Sequence, residues 1–130
     1  MIKLYTDAGL NTNLNIAAIA YVIKNNDETT TLVQQTKAVD NHYLEFLALD
    51  KALDKIIEMK MLDILFIHSD SKILTDSIGK KYSKSYQDIL DQILKKLQYF
   101  PSYFVKHIAD KDNRQAHALV HQELLKIRRL

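Results

Sequence analysis

The spacing of the apolar residues changes character once, near Asp40, and that change narrows the folds open to this chain. Before it, Ile2 to Thr6, Ile16 to Lys24 and Thr29 to Thr36 are runs rich in Ile, Val, Thr and Tyr, residues that suit a pleated, half-buried surface. Asn-rich stretches at 11–15 and 25–27 separate them, and such stretches mark turns. Three strands joined by short turns make an antiparallel meander. After Asp40, the residues Phe46, Leu49, Leu53, Ile56 and Ile57 recur at helical spacing, with Asp50, Lys51, Asp54, Lys55 and Glu58 between them. A helix capped by Asp40 and running to about Met61 is expected.

The rest of the chain alternates. Ile64 to Ser69 reads as a buried strand, Ser71 to Gly79 as a short helix stopped by its glycine, and Ser85 to Leu97 as an amphipathic helix before the Pro101 breaker. Tyr103 to Ile108 reads as a fifth strand. A last helix, capped by Asp110 or Asp112, runs to about Ile127 with Ala116, Leu119, Val120, Leu124 and Ile127 facing inward. The order βββαβααβα predicts an α/β fold: a five-stranded mixed sheet with helices on its faces, strands one, four and five being parallel neighbours. With 130 residues, 47% of them hydrophobic, and no repeat or linker, one domain over 1–130 is expected.

Composition excludes several chemistries. Zero cysteines rule out disulfides, cysteine zinc sites and thiol catalysis, so any metal must take oxygen or imidazole ligands. No run of about 18 apolar residues and no basic-then-apolar leader is present, which predicts a cytoplasmic chain without a membrane partner. The net charge of +2 is small, but Lys80, Lys81 and Lys84 with Tyr82 and Tyr86, and Lys126, Arg128 and Arg129, form basic clusters where a polyanion can dock.

The chemistry-bearing residues converge. Asp7 ends the first strand and Asp70 the fourth, and ligands of such sheets gather beyond the carboxyl ends of the parallel strands. Glu45 lies in the first turns of the long helix, and His117 follows Asn113 on the last one. Carboxylates spread over elements in this way suit hard divalent cations. Each residue also has a plain structural use: Asp7 as a turn residue before Gly9, Asp70 as the cap of the next helix, Glu45 as an ordinary helix-surface charge. His117 and His121, four apart on a helical face, have chelating spacing but no third ligand. Asp110 and Asp112 can supply a further carboxylate if the loop before the last helix bends inward, but capping accounts for them more simply, and Asp112 is a weak candidate ligand.

Taken together, these residues resemble the ribonuclease H type 1 family over nearly the whole chain. Tyr5-Thr6-Asp7 is similar to its first-strand signature, Asn41 with Glu45 to its first-helix pattern, Ser69-Asp70-Ser71 to its fourth-strand segment, and Asn113 to Ala118 to its final motif, with His117 where the family has a fourth aspartate. The resemblance implies the strand order 3-2-1-4-5 and the short bacterial and archaeal variety, because 80–84 is too short for a basic protrusion. It implies an endonuclease that hydrolyses the RNA strand of an RNA/DNA hybrid with two divalent cations, Mg2+ or Mn2+. Asp7 would bridge the cations, Asp70 and Glu45 would hold the one at the scissile phosphate, and His117 would help hold the one that activates water. Imidazole in place of a carboxylate removes one negative charge and shifts preference toward manganese. Asn11, Asn13, Asn41 and His42 are the implied substrate contacts, with Leu10-Asn11-Thr12-Asn13 replacing the family's glycine-rich turn. A monomer is expected. The alternative function is a catalytically silent module of the same fold that binds nucleic acid; transposase- or resolvase-like nucleases, which carry further domains, rank behind both.

Overall fold

The computed structural model describes residues 1–128. Arg129 of the C-terminal basic cluster lies outside the described residues, as do the side chains of Ile127 and Arg128. Strands β1 (Ile2–Asn11), β2 (Ile16–Asn25), β3 (Glu28–Lys37), β4 (Leu65–Ser69) and β5 (Tyr103–His107) form one sheet in the order β3-β2-β1-β4-β5. The first three pair antiparallel, while β1, β4 and β5 pair in parallel. This is the predicted topology. Helices α1 (Asn41–Glu58), α2 (Lys72–Lys80), α3 (Gln87–Leu97) and α4 (Arg114–Arg128) complete it, with a 3-10 turn at Asp110–Asp112. Among the described residues no helix is long and apolar enough to cross a membrane.

The two sheet faces are covered unequally. On one, Ile2, Leu4, Ile23, Leu65 and Ile67 pack against Phe46, Leu49, Leu53 and Ile56 of α1 and against Ile89, Leu90, Ile93 and Leu97 of α3. Each such side chain contributes about 1.5–3 kcal/mol by leaving water. On the other, Ala18 and Ala20 of β2 meet Val120, Leu119 and Leu124 of α4. Small alanines let that helix approach closely, and Gly9 of β1 lets it approach further: a Cβ there would lie 2.6 Å from Val120 Cγ1.

Several local expectations need correction. β1 does not end at Asp7 but pairs on with β2 as far as Asn11, so Gly9 is a strand residue and the turn falls on 12–15. Its glycine serves close helix packing rather than chain reversal. Gly79 does not stop α2. That helix closes at Lys81, in the left-handed conformation at φ 57°, whose N–H reaches Ile78 O while Tyr82 N–H reaches Ser77 O. The same closure ends α1 three residues earlier than expected, with Lys60 at φ 59° and Met61 N–H on Ile56 O. This double hydrogen bond satisfies the last carbonyls whether or not glycine is available. Asp40 caps α1 as expected, its Oδ1 accepting His42 N–H at 3.3 Å. Neither Asp110 nor Asp112 adjoins α4: the preceding residue is Asn113, whose carbonyl accepts His117 N–H at 3.0 Å.

Candidate active site

The parallel register of β1 and β4 opposes Tyr5 to His68, so Asp7 and Asp70, each two residues further on, emerge abreast at the carboxyl end of the sheet. β4 has ended at Ser69, which frees Asp70 from the ladder. Glu45, in the second turn of α1, reaches the same point. One oxygen from each of Asp7, Glu45 and Asp70 lies within 4.8 Å of the others. Asp7 and Glu45 are buried, and Asp70 is partly exposed.

Asp70 does not cap α2, contrary to its expected double use. Ser71 does, accepting Leu74 N–H at 3.2 Å, and Ser69 Oγ accepts Ser71 N–H at 3.0 Å. The two serines take up the local donors and leave the Asp70 carboxylate to the cluster. His107 Nε2 donates to the Asp70 backbone carbonyl at 3.1 Å. Asn113, almost wholly buried, donates to the Thr6 carbonyl at 2.8 Å, pinning the start of α4 beside Asp7.

Three carboxyls in one partly dry site resist ionisation together. Burial, then the charges of Asp7 and Asp70 and a proton shared with Asp70, push Glu45 up to about 9. Burial and the Asp70 charge push Asp7 up to about 6, against the lowering pull of the Ala8 N–H and His117. Asp70 is raised by burial and then by a hydrogen bond that its protonated form donates to Asp110. Asp110 thus turns inward rather than capping the last helix, the less favoured of its two expected uses. The 3-10 turn carries Asp110 toward Asp70, and Ile108 N–H bonded to Ser69 O at 2.9 Å aligns the two strand ends that bring it there.

The residue set fits divalent cations on a direct observation. Among the described residues Glu45 Oε1 is buried with no hydrogen-bond partner, an arrangement that costs free energy unless something positive completes it. Oxygen donors from three elements are what such ions take. His117 Nδ1 lies 3.2 Å from Asp7 Oδ2 with the ring 61% exposed, at the edge of the cluster, and His121 stacks one turn further along at 6.4 Å between ring centroids.

The other expected contacts divide into two places. Asn41 and His42 line the cleft that also holds Glu45, Asp70, Ser71 and Lys72. Asn11 and Asn13 lie elsewhere, in a cleft shared with Thr12, His121 and Leu124; Asn11 Oδ1 is engaged there by Leu14 N–H at 3.1 Å. His42 also borders a groove of about 430 Å³ with Lys80, Tyr82, Lys84 and Tyr86, where the basic and aromatic residues between α2 and α3 gather.

Comparison with known proteins gives a consistent picture. Residues 5–123 match the family model described as reverse transcriptase-like. An Enterococcus faecalis protein named "Putative hydrolase EbsB" is 30% identical over 129 residues, covering 97% of this chain and 96% of that one. Among solved structures, RNase H1 of the halophilic archaeon Halobacterium salinarum superposes with a TM-score of 0.85 at 18% identity, over 96% of this chain and 98% of that one. LC11-RNase H1, solved in complex with an RNA/DNA hybrid, gives 0.82 at 22% identity over 94% and 95%.

Proposed function

The chain belongs to the reverse transcriptase-like family and has the ribonuclease H-like fold, and from that premise we propose that it is an endonuclease hydrolysing the RNA strand of RNA/DNA hybrids with two divalent cations. The observation that carries this reading is the meeting of Asp7, Glu45 and Asp70 within 4.8 Å around a buried carboxylate oxygen that has no hydrogen-bond partner among the described residues. Divalent cations held there would supply activation of the attacking water and stabilisation of the leaving oxygen.

The chain's own residues do the rest. Asp7, Glu45 and Asp70 are the ligands, and His117 offers imidazole where a fourth carboxylate would add charge, favouring manganese over magnesium. Glu45 carries a proton near neutral pH, which it would give up on holding a cation, so binding would release protons. Asn41 and His42, in the cleft with Glu45 and Asp70, lie where RNA 2′-hydroxyls can be read. Asn11 and Asn13, in the separate cleft that holds His121, offer further amides to the substrate. Lys80, Lys84, Tyr82 and Tyr86 offer the DNA strand cations and aromatic faces. The solved hybrid complex of LC11-RNase H1 supports this choice of substrate, and residues 1–130 are taken as one domain acting as a monomer.

The test is cleavage of a labelled hybrid, with single-stranded RNA and duplex DNA as controls, in magnesium and then manganese. Hybrid-specific cleavage that disappears in Asp70→Asn is expected. No cleavage in either metal, with hybrid binding intact, would make the chain a silent binding module instead.

A further inference from the structure

The sheet face that carries α4 is open on its other half. α4 packs on β1, β2 and β3, and beyond its edge the register aligns two cross-strand rows: Lys3, Phe66 and Phe104, then Tyr5, His68 and Lys106. The rings are already stacked in pairs. Phe66 and Phe104 lie 5.1 Å apart at 20°, and Tyr5 and His68 lie 4.3 Å apart at 12°. Phe104 is 54% exposed, which is costly for an aromatic ring with nothing to cover it. Lys24 Nζ stands 5.5 Å from the Tyr5 ring centre.

Charge on this face has one dominant sign. The His68 ring lies flat against Tyr5 at the centre of the face, held by its Nδ1–H on Leu4 O at 3.1 Å, with Lys3 and Lys106 in the same cross-strand rows. Where the face meets α4, a cleft of about 240 Å³ brings Lys24, Lys111 and Arg114 beside Tyr5, with Asp112 as the acidic residue there. Flat aromatic rings interleaved with cations match a ligand that alternates π-faces with phosphates. A duplex hides its base faces inside the stack, whereas a single strand offers them. An acidic peptide would meet the lysines and leave the rings unused.

We propose that this face binds a single strand of nucleic acid, its bases stacking on Phe104, Phe66 and the Tyr5–His68 pair and its phosphates meeting Lys3 and Lys106. Tyr5 and His68 each precede a clustered carboxylate, Asp7 and Asp70, by two residues. A strand seated on the rows thus runs up to the carboxylate end of the sheet. The binding itself needs no metal and does not depend on whether the chain cleaves anything.

The experiment is fluorescence anisotropy of labelled dT12 and U12 oligonucleotides on the full chain in EDTA, across a salt series. Wild type should bind both. Phe104→Ala should weaken binding about fivefold or more, the loss expected for one stacked base, while Phe104→Tyr, which keeps the ring, should bind as wild type does. Lys106→Glu should weaken binding and flatten its salt dependence. All three side-chain changes are at exposed positions of β5 and should leave the melting temperature and cleavage of a blunt hybrid unchanged. Absence of single-strand binding by wild type would overturn the proposal, as would affinity indifferent to Phe104→Ala. So would poly-glutamate competing equally before and after Phe104→Ala, which would assign the face to charge alone. Self-association in sedimentation that Phe104→Ala abolishes, without oligonucleotide binding, would overturn it in favour of a second copy of the chain.

Discussion

Replacing Glu45 by glutamine should make the metal-free protein more stable while removing a ligand. Glu45 is 5% exposed and keeps its proton in the folded chain up to about 9, against an ordinary 4.5. Between those values the unfolded chain binds fewer protons than the folded one, so stability falls as pH rises. The slope is about 1.4 kcal/mol for each pH unit. By pH 7.5 the accumulated cost approaches about 4 kcal/mol, a ceiling because part of it is repulsion shared with Asp7 and Asp70. Glutamine is neutral throughout and escapes this cost. Urea unfolding in EDTA should therefore show Glu45→Gln more stable than wild type by roughly 2–4 kcal/mol at pH 7.5, with the gap closing as pH falls to about 4.5. Manganese should reverse the order, because wild type gains binding free energy that the variant forgoes. A gap that is absent at pH 7.5, or that does not grow with pH, would refute the burial and crowding argued for this carboxyl.

Four further outcomes are expected. His117→Asp should tighten magnesium binding about tenfold by calorimetry, since it restores an anionic oxygen near Asp7; unchanged affinity would remove position 117 from the ligand set. Asp110→Asn should let Asp70 ionise at lower pH, because the hydrogen bond and like charge that help raise it are lost; carbon-detected NMR titration of Asp70 reads this, and an unmoved midpoint would deny the contact. Gly9→Ala should destabilise by about 1–3 kcal/mol in thermal melts, its Cβ falling 2.6 Å from Val120 Cγ1, with partial recovery when Val120→Ala is added. Lys60→Gly should stabilise by about 0.5–1 kcal/mol, as glycine takes the left-handed φ of 59° without the penalty a side chain incurs.

The order of elements was legible in the sequence because periodicity is a local property. Val, Ile and Thr runs fix strands, the spacing of Phe46, Leu49, Leu53 and Ile56 fixes α1, and Asp40 announces its start. The meander and the two later strand-helix units then leave few topologies, and the one found has the predicted strand order. Asp7, Glu45 and Asp70 were legible for the same reason: each sits at the end or start of a recognisable element on the same side of such a sheet. Their separation was not. It depends on the β1–β4 register and on β4 ending at Ser69, which are agreements between segments some 60 residues apart. Helix closure by Lys60 and Lys81 also escaped the reading, since a left-handed residue stabilised by two backbone hydrogen bonds need not be glycine. Asp110 could be assigned to capping from its neighbours alone; only the pairing of Ile108 with Ser69 turns it toward Asp70. The open half of the sheet was invisible as well, because it exists only through the mismatch between one covering helix and five strands. Local stretches of chain encode the succession of elements and the residues able to carry chemistry. The tertiary structure decided which of them meet and which stay uncovered, since those outcomes depend on register and helix placement that no local stretch of chain encodes.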